Sequence, residues 1–289
     1  MTPYDPSADY PIEVEEVEFR RTPQRTLLAR IYRPSPPSGR GGPWPGVLDL
    51  HGGAWNNKDR LANEPMDRAL AASGVVVVAI DLRLAGEAPY PAAVQDAHYG
   101  LRWLKARTAR WNVDPARVGL LGSSSGGHVA QLIGMRPNDP RYAALPLEGA
   151  GGIDASVRFV ATRSPISDPL ARFENAQRRG RSEMMQKSRT FFSPWDSITE
   201  GNPQAILDRG EPVTLPPMLI MQGGEDDNVL PAFQQRFAEA YRAAGGDCEL
   251  TVYEGCGHIW IENPGPQTER AHAQLKAFVA RVLGKGSAG

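Results

Sequence analysis

The sequence alternates short apolar runs rich in β-branched residues with stretches whose apolar residues recur at helical spacing. The clearest run is Val75-Val76-Val77-Val78-Ala79-Ile80. A strand with no polar alternation must be buried on both faces, which is typical of a parallel sheet covered by helices on each side. The chain is therefore predicted to have an α/β fold built on a mostly parallel sheet.

About eight strands are predicted along the chain, of which the first two are expected to pair as antiparallel neighbours. They are Glu13–Arg20, Thr26–Tyr32, Pro45–Leu50, Val75–Asp81, Val118–Gly122, Arg158–Ala161, Met218–Gln222 and Glu249–Tyr253. The segment 164–216 precedes the seventh strand and has no strand pattern of its own. Because long segments of this kind are often lids or binding loops, we expect a short cap there, inserted into a single domain that spans residues 1–289.

The charge balance of the chain points to no polyanionic partner. Its 289 residues carry 32 basic and 33 acidic side chains, and the net charge is −1. Neither nucleic acid nor an anionic membrane surface is therefore expected as a partner. No apolar stretch reaches the roughly 18 residues needed to span a bilayer, and the N-terminus has no signal-peptide pattern, so a soluble cytoplasmic protein is predicted. The sequence leaves the oligomeric state open.

The two cysteines, Cys248 and Cys256, are expected to be free thiols. They are separated by a predicted strand, whose rise of about 3.3 Å per residue places them farther apart than the roughly 7 Å that a disulfide allows between Cα atoms. Their spacing is not that of a Cys-x-x-Cys zinc site. No metal or organic cofactor is implied.

A Gly-x-Ser-x-Gly motif marks a candidate nucleophile. Residues Gly122–Gly126 read Gly-Ser-Ser-Ser-Gly, after a strand pattern and before a helical one. In such an arrangement a sharp turn, which only small flanking residues permit, lifts the middle serine above the sheet. Ser124 is the predicted nucleophile, at a helix N-terminus whose dipole favours developing negative charge. Ser123 and Ser125 are expected to pack or to cap the helix.

A glycine turn after the third strand predicts an oxyanion hole. His51-Gly52-Gly53-Ala54-Trp55 directly follows Pro45–Leu50. Two glycines let backbone N–H groups turn inward, where they can donate to the charged oxygen of a tetrahedral intermediate. Gly53 and Ala54 are the candidate donors, together with the N–H group of Ser125. The alternative is a plain glycine turn between strand and helix.

Five histidines compete for the role of general base. His258 lies in a glycine-containing loop after the last predicted strand and before the last helix. His98 and His272 fall within helical patterns, and His128 lies in the helix after Ser124, turned away from its hydroxyl. His51 is expected to be structural. His258 is therefore predicted to take the proton of Ser124.

The carboxylate that orients the imidazole is predicted on the loop after the seventh strand. Gly223-Gly224-Glu225-Asp226-Asp227 offers two adjacent aspartates there. Only one of them can hold the ring. Serine, aspartate and histidine then follow one another along the chain, each at the carboxyl end of a predicted strand.

On these residues the sequence resembles the α/β-hydrolase fold esterases close to the hormone-sensitive-lipase family. It is also similar to bacterial acetyl-esterase-like and feruloyl-esterase-like enzymes and to the kynurenine formamidases. The resemblance runs from Pro45 to the final helix. It includes Asp81-Leu82-Arg83-Leu84, Tyr90-Pro91, Asp96 and Ser193-Pro194. Four positions depart from the family. Ala54 stands where the lipase-like branch usually has a third glycine, Leu82 replaces a common tyrosine, and Ser123 and Ser125 stand where acidic or bulkier residues are frequent.

The resemblance also bears on the choice between the two aspartates. Gly-x-x-Asp-Asp-Asn-Val resembles the acid loop of prolyl-oligopeptidase relatives, in which the first aspartate is catalytic, and this favours Asp226. Simpler esterases place a proline four residues after the acid, and Pro231 would then select Asp227. The aspartate that does not hold the histidine is expected to accept hydrogen bonds from backbone N–H groups of the same turn.

The predicted function is that of a serine carboxylesterase for small or aryl esters, working through an acyl-enzyme on Ser124. An arylformamidase or another amidase would use the same residues, and nothing in the triad separates the two. A non-catalytic binding protein on the same scaffold is a third alternative. It is disfavoured because Ser124, His258 and an acid are all present.

Five aromatic residues lie beside the catalytic loops or in the predicted cap: Trp55, Phe191, Phe192, Trp195 and Trp260. They either line an apolar substrate pocket or pack the cap onto the sheet. The short cap predicts a preference for short acyl chains.

Overall fold

The computed structural model describes residues 4–37 and 41–284, in which eight strands form one sheet in the order β1-β2-β4-β3-β5-β6-β7-β8. The strands are β1 (Ile12–Arg21), β2 (Thr26–Pro34), β3 (Trp44–Leu50), β4 (Val76–Ile80), β5 (Val113–Ser123), β6 (Val160–Arg163), β7 (Met218–Gly223) and β8 (Cys248–Tyr253). Strand β2 pairs antiparallel with β1 and with β4, and the remaining neighbours are parallel. The predicted α/β fold with a mostly parallel sheet is confirmed.

Helices cover both faces of this sheet. They are α1 (Glu64–Ala72), α2 (Ala92–Lys105), α3 (Thr108–Trp111), α4 (Ser125–Met135), α5 (Pro169–Arg178), α6 (Ser182–Phe191), α7 (Ser197–Glu200), α8 (Pro203–Asp208), α9 (Pro231–Ala243) and α10 (Pro266–Gly284). The apolar residues of α1 and α10 pack on one face, and those of α2, α4 and α9 pack on the other.

Strand β4 shows why a run of consecutive apolar residues is stable here. Val76, Val78 and Ile80 join the core beneath α2 and α4, whereas Val77 and Ala79 join the core beneath α1 and α10. Successive side chains of a strand point to opposite faces, so both sets leave water only when helices cover both sides. The continuous apolar pattern therefore reflects burial on two faces.

Most strand bounds lie within one or two residues of the predicted ones, and those of β5 and β6 differ most because pairing, rather than hydrophobicity, sets them. Strand β5 begins at Val113, which pairs with Trp44 of β3 ahead of an irregularity in the register. Strand β6 is shifted toward Arg163, because its residues pair with β5 on one side and β7 on the other. Both edges depend on residues distant in the sequence.

The four helices α5 to α8 lie between β6 and β7, in the segment where the sequence predicts a cap. Asp168 caps α5 by accepting from the N–H group of Ala171, and Asn202 caps α8 by accepting from that of Ala205. The side-chain amide of Asn202 also donates to Asp168, over 3.0 Å. The two helix starts are thereby joined by one buried hydrogen bond.

Both cysteines are buried free thiols, as predicted. The strand β8 begins at Cys248, and Cys256 lies beyond its end. Among the helices within residues 4–37 and 41–284, none combines the length and the apolar character needed to cross a bilayer.

A pair of buried aspartates lies between β3 and α1. Asp49 of β3 accepts two hydrogen bonds from the side-chain amide of Asn63, while neither carboxylate oxygen of Asp67 has a partner among the described residues. Burial, followed by the charge of Asp49, raises the pKa of Asp67 well above its usual value. Burial likewise raises the pKa of Asp49 to about 7. Asp67 is therefore expected to hold its proton in the folded protein at neutral pH.

We expect Asp67→Asn to stabilise the protein more near pH 8 than near pH 5. The unfolded chain releases the Asp67 proton at about pH 3.9, so the wild type loses about 1.4 kcal/mol of stability per pH unit from there up to the raised folded pKa. Asparagine has no such proton to lose. Urea unfolding at the two pH values measures the effect, with the exposed Asp9→Asn as control. An equal gain at both pH values would contradict the assignment.

Candidate active site

The strand β5 ends in a tight turn that holds Ser124 in a strained conformation. Ser124 has φ 53° and ψ −113°, an uncommon region for a residue with a Cβ. Its N–H group donates to the carbonyl of Arg163 (2.8 Å), and its own carbonyl accepts from the N–H of Ile166 (3.1 Å). A Cβ on Gly126 would lie 2.0 Å from the carbonyl oxygen of Leu50, so only glycine allows α4 to start this close to β3. The turn is thus fixed from both neighbouring strands.

The loops after β5, β7 and β8 bring Ser124, Asp226 and His258 together. Ser124 Oγ lies 3.0 Å from His258 Nε2, and His258 Nδ1 lies 2.7 Å from Asp226 Oδ2. Because Nδ1 faces a carboxylate, it carries the ring proton, which leaves Nε2 free to accept from the serine hydroxyl. The three predicted residues form one continuous chain of hydrogen bonds.

Asp226 is held by more than the histidine. The residue is 2% exposed, and its Oδ1 accepts from the N–H groups of Asn228 (3.0 Å) and Val229 (2.8 Å). The amide of Gln222 donates to Oδ2 (3.0 Å). Burial pushes the pKa of this carboxyl upward, but the hydrogen bond and charge of His258, with the Val229 and Gln222 donors, hold it below its usual value. Asp226 is therefore ionised at neutral pH.

Gln222 was not identified from the sequence. It ends the otherwise apolar run Met218-Leu219-Ile220-Met221 and is fully buried. Its side-chain amide also donates to the carbonyl of Val229 (3.0 Å), so it ties the end of β7 to the turn that carries Asp226. A polar residue closing a buried apolar strand was the available signal.

Asp227 lies away from the histidine. Its side chain is 51% exposed and forms ion pairs with Arg179 (3.0 Å) and Arg181. The expectation that the second aspartate binds backbone N–H groups of its own turn was wrong. Those groups are taken by Asp226, because its carboxylate points into the turn while that of Asp227 points outward to Arg179 and Arg181, which follow α5.

The turn after β3 has three successive residues with positive φ: Gly53 (100°), Ala54 (51°) and Trp55 (62°). A Cβ on Gly53 would lie 2.1 Å from the carbonyl oxygen of Asn57, so no other residue fits there. The Trp55 N–H group donates to Ser125 Oγ (3.1 Å), which ties this turn to the start of α4. The strain is thus held by a contact between the two glycine-containing turns.

Two of the three predicted oxyanion donors line the cavity at Ser124, and the third begins α4. Gly53 and Ala54 line the same cavity as Ser124 and His258, and their N–H groups donate to no other described residue. Ser125 is the first residue of α4, where the helix leaves the N–H group without a partner. Its side chain does not line that cavity.

Two further histidines near the site are structural. His128 is buried, accepts from Trp55 Nε1 (3.2 Å) and has its Nε2 2.6 Å from the carbonyl oxygen of Gly201. Burial lowers the pKa of His128 to about 4. His51 Nδ1 lies 2.9 Å from the carbonyl oxygen of Gly52, and burial lowers its pKa as well. Both are expected to be neutral, and neither contacts Ser124.

The cavity beside Ser124 and His258 has a volume of about 180 Å³. Helices α5 and α6 contribute Arg172, Met184 and Lys187 to its wall, so the segment between β6 and β7 encloses one side of it. Nowhere in residues 4–37 and 41–284 do three histidine, cysteine, aspartate or glutamate side chains converge as metal ligands would.

The five aromatic residues singled out in the sequence pack against other rings. Trp55 stacks on Phe191, with ring centroids 4.5 Å apart, and both contact Phe192 edge-on. Trp195 packs on Phe173 and Trp260 on Tyr253, each also at 4.5 Å. None of the five lines the cavity. Of these contacts, only those of Trp55 with Phe191 and Phe192 join the segment between β6 and β7 to the rest of the fold, since Trp195 packs within that segment and Trp260 packs at the end of β8.

Known proteins share the sequence pattern of this chain. A family model described as alpha/beta hydrolase fold matches residues 47–262. Esterase LipI of Mycobacterium tuberculosis is 35% identical over 248 residues, which cover 82% of this chain and 72% of LipI. Carboxylesterase NlhH of the same species is 35% identical over 96 residues, which cover 33% of this chain and only 30% of NlhH.

A solved structure shares the fold at lower sequence identity. The propionate-bound thermophilic esterase Est2 of Thermogutta terrifontis superposes with a TM-score of 0.72 at 22% identity, over 93% of this chain and 94% of that one. At such an identity the likeness concerns the fold alone. The family model matches most of the chain, and the eight-stranded sheet and the turn at Ser124 agree with it. The chain belongs to the α/β-hydrolase fold family.

Proposed function

We propose that this protein hydrolyses carboxylic esters, with Ser124 as nucleophile, His258 as general base and Asp226 as the carboxylate that orients the imidazole. The observation that carries the proposal is the unbroken hydrogen-bond chain from Ser124 through His258 to Asp226, opening on a cavity. The relatives named esterase and carboxylesterase support it.

In the first half of the reaction, Ser124 Oγ attacks the ester carbonyl carbon while His258 Nε2 takes the hydroxyl proton. The N–H groups of Gly53, Ala54 and Ser125 donate to the oxygen that becomes negative. When the tetrahedral intermediate collapses, the alcohol leaves with the proton from His258 and the acyl group stays on Ser124.

In the second half, water attacks the acyl group and gives its proton to His258, and the carboxylic acid is released as Ser124 recovers its proton. Asp226 stabilises the imidazolium in both halves. Its low pKa supports this role, because the carboxylate is charged whenever the imidazole takes up a proton.

The cavity supports small esters as substrates. A volume of about 180 Å³ is below the roughly 300–1,000 Å³ of pockets that enclose drug-sized ligands. Since α5 and α6 form part of its wall, we propose that residues 164–216 act as a short cap within a single domain and limit the length of the acyl chain. The cavity is only partly enclosed, so a small aryl leaving group can extend out of it toward solvent.

Purified protein should hydrolyse para-nitrophenyl acetate faster than N-formylkynurenine, since the ester has the better leaving group. A fluorophosphonate probe should label Ser124, as located by peptide mass spectrometry. Faster turnover of the formamide would make the protein an arylformamidase, and labelling at Ser123 or Ser125 would refute the nucleophile. The absence of both turnover and labelling would indicate a non-catalytic protein.

A further inference from the structure

The wall of the active-site cavity carries four cationic side chains and one acidic one. Three of the cations have a carboxylate partner. Lys58 pairs with Glu262 (2.7 Å), Arg163 contacts the same carboxylate (3.5 Å), and Lys187 pairs with Glu183 on its own helix (2.7 Å). Because four cationic side chains and only one acidic side chain line it, the cavity is positively charged.

Arg172 of α5, the fourth cation, has no acidic partner anywhere in residues 4–37 and 41–284 and is only 2% exposed. Its Nε donates to the side-chain oxygen of Asn228 (2.8 Å), and one Nη donates weakly to Ser188 Oγ (3.4 Å). The other Nη donates to no described residue. The guanidinium also lies 5.8 Å from the centre of the Trp55 ring. Neutral groups thus hold the side chain in place, and N–H donors of both Nη groups remain available to a ligand.

Arg172 keeps its charge at neutral pH even though it is buried. Burial lowers the pKa of its guanidinium to about 10, and the charge of Asp226 opposes this effect. Asp226 cannot serve as its direct partner, because both carboxylate oxygens are occupied by His258, Gln222 and two backbone N–H groups. A buried charge without a counter-ion is costly, and a ligand that brings the counter-ion removes that cost.

We propose that Arg172 binds a carboxylate of the substrate, so that the preferred esters carry an anionic group in their acyl part or their alcohol part. The two Nη groups match the two oxygens of a carboxylate, which a guanidinium binds through parallel hydrogen bonds. Lys58 and Arg163 share the one carboxylate of Glu262, so the wall keeps an excess of positive charge that adds attraction at longer range. This inference rests on the proposed ester hydrolysis and names its substrate class.

Two matched substrate pairs test it. Mono-para-nitrophenyl fumarate carries the carboxylate in the acyl part, where the trans double bond keeps it from attacking its own ester, and its methyl ester is the neutral counterpart. Para-acetoxybenzoate carries the carboxylate in the alcohol part, again with its methyl ester as the neutral counterpart. The wild type should show kcat/KM about 10- to 100-fold higher for the charged member of one pair, the gain typical of a hydrogen bond to a charged group. The pair that responds locates the anion.

Variants assign the preference to Arg172. Arg172→Gln should abolish the ratio between charged and neutral substrates, and Arg172→Lys should keep part of it. Arg178→Gln, which removes a charge from the exposed face of the same helix, should leave the ratio unchanged. A purely structural role of Arg172 would lower both members of a pair equally, and thermal unfolding reports any loss of fold.

The wild-type ratios decide the proposal even if Arg172→Gln does not fold. Equal turnover of charged and neutral esters in both pairs would overturn the inference while leaving ester hydrolysis intact. A preference that persists in Arg172→Gln would overturn it as well. Absence of hydrolysis with all four esters would overturn the proposed function, and this inference with it.

Discussion

We expect Ser124→Ala to lower kcat for ester hydrolysis by about 10⁴- to 10⁶-fold, because alanine removes the atom that would form the proposed acyl-enzyme. The fold should be unchanged, since the Ser124 side chain makes one hydrogen bond, to His258, and the strained backbone is held by main-chain contacts with Arg163 and Ile166. Steady-state kinetics with para-nitrophenyl acetate and thermal unfolding of the same preparation measure the two quantities.

Ser123→Ala is the matched control for this change. Its hydroxyl accepts from Arg163 Nε (3.3 Å) and does not contact His258, so we expect activity within about tenfold of the wild type, the loss of one ordinary hydrogen bond. If Ser124→Ala retained near-normal turnover, the serine mechanism would have to be abandoned.

Asp226→Asn should lower kcat by about 10⁴-fold, the loss known for an amide at the orienting position of a triad. The backbone N–H groups of Asn228 and Val229 keep the amide oxygen at the position of Oδ1. The amide NH₂ group then faces Nδ1 of His258 and requires that nitrogen to accept. The ring proton moves to Nε2, which can no longer take the proton of Ser124.

Asp227→Asn provides the matched control one residue away. It weakens exposed ion pairs with Arg179 and Arg181, which are worth at most about 1 kcal/mol of stability, and it leaves the imidazole contact intact. Turnover should stay within a few-fold of the wild type. The opposite ranking of the two variants, measured as kcat at saturating ester, would move the orienting carboxylate to Asp227.

Several features were predictable because they depend on residues close together in the chain. The run Val76–Ile80 indicates burial on both faces, and Gly122–Gly126 indicates a turn that only small residues allow. The place of His258 after the last strand follows from the chain order, since parallel strands all end at one edge of the sheet. Local sequence thus determined the fold class and the set of residues that meet at Ser124.

Contacts between distant segments decided the rest. Asp226 and Asp227 are adjacent and chemically identical, and only the course of the turn after β7 directs one toward His258 and the other toward Arg181. Asp67 and Asp49 look like ordinary polar positions until α1 covers this face of the sheet. For Asp49 and Asp67 no local pattern reports such an encounter, because these two residues are brought together only by folding.

Arg172 shows the same division most clearly. By sequence it is one arginine among many in the segment between β6 and β7, and its helix could present it to solvent or to the cavity. Its charge is a property of the sequence, whereas its burial, the lack of a carboxylate partner among the described residues and its place in the wall of the cavity at Ser124 follow from how α5 packs. The sequence by itself determined which chemical groups this protein has. It also determined which of those groups lie at the ends of parallel strands, where they meet. The tertiary structure decided which of those groups are buried away from solvent and which charged groups have a counter-ion, because burial and charge pairing depend on all the segments that surround a side chain.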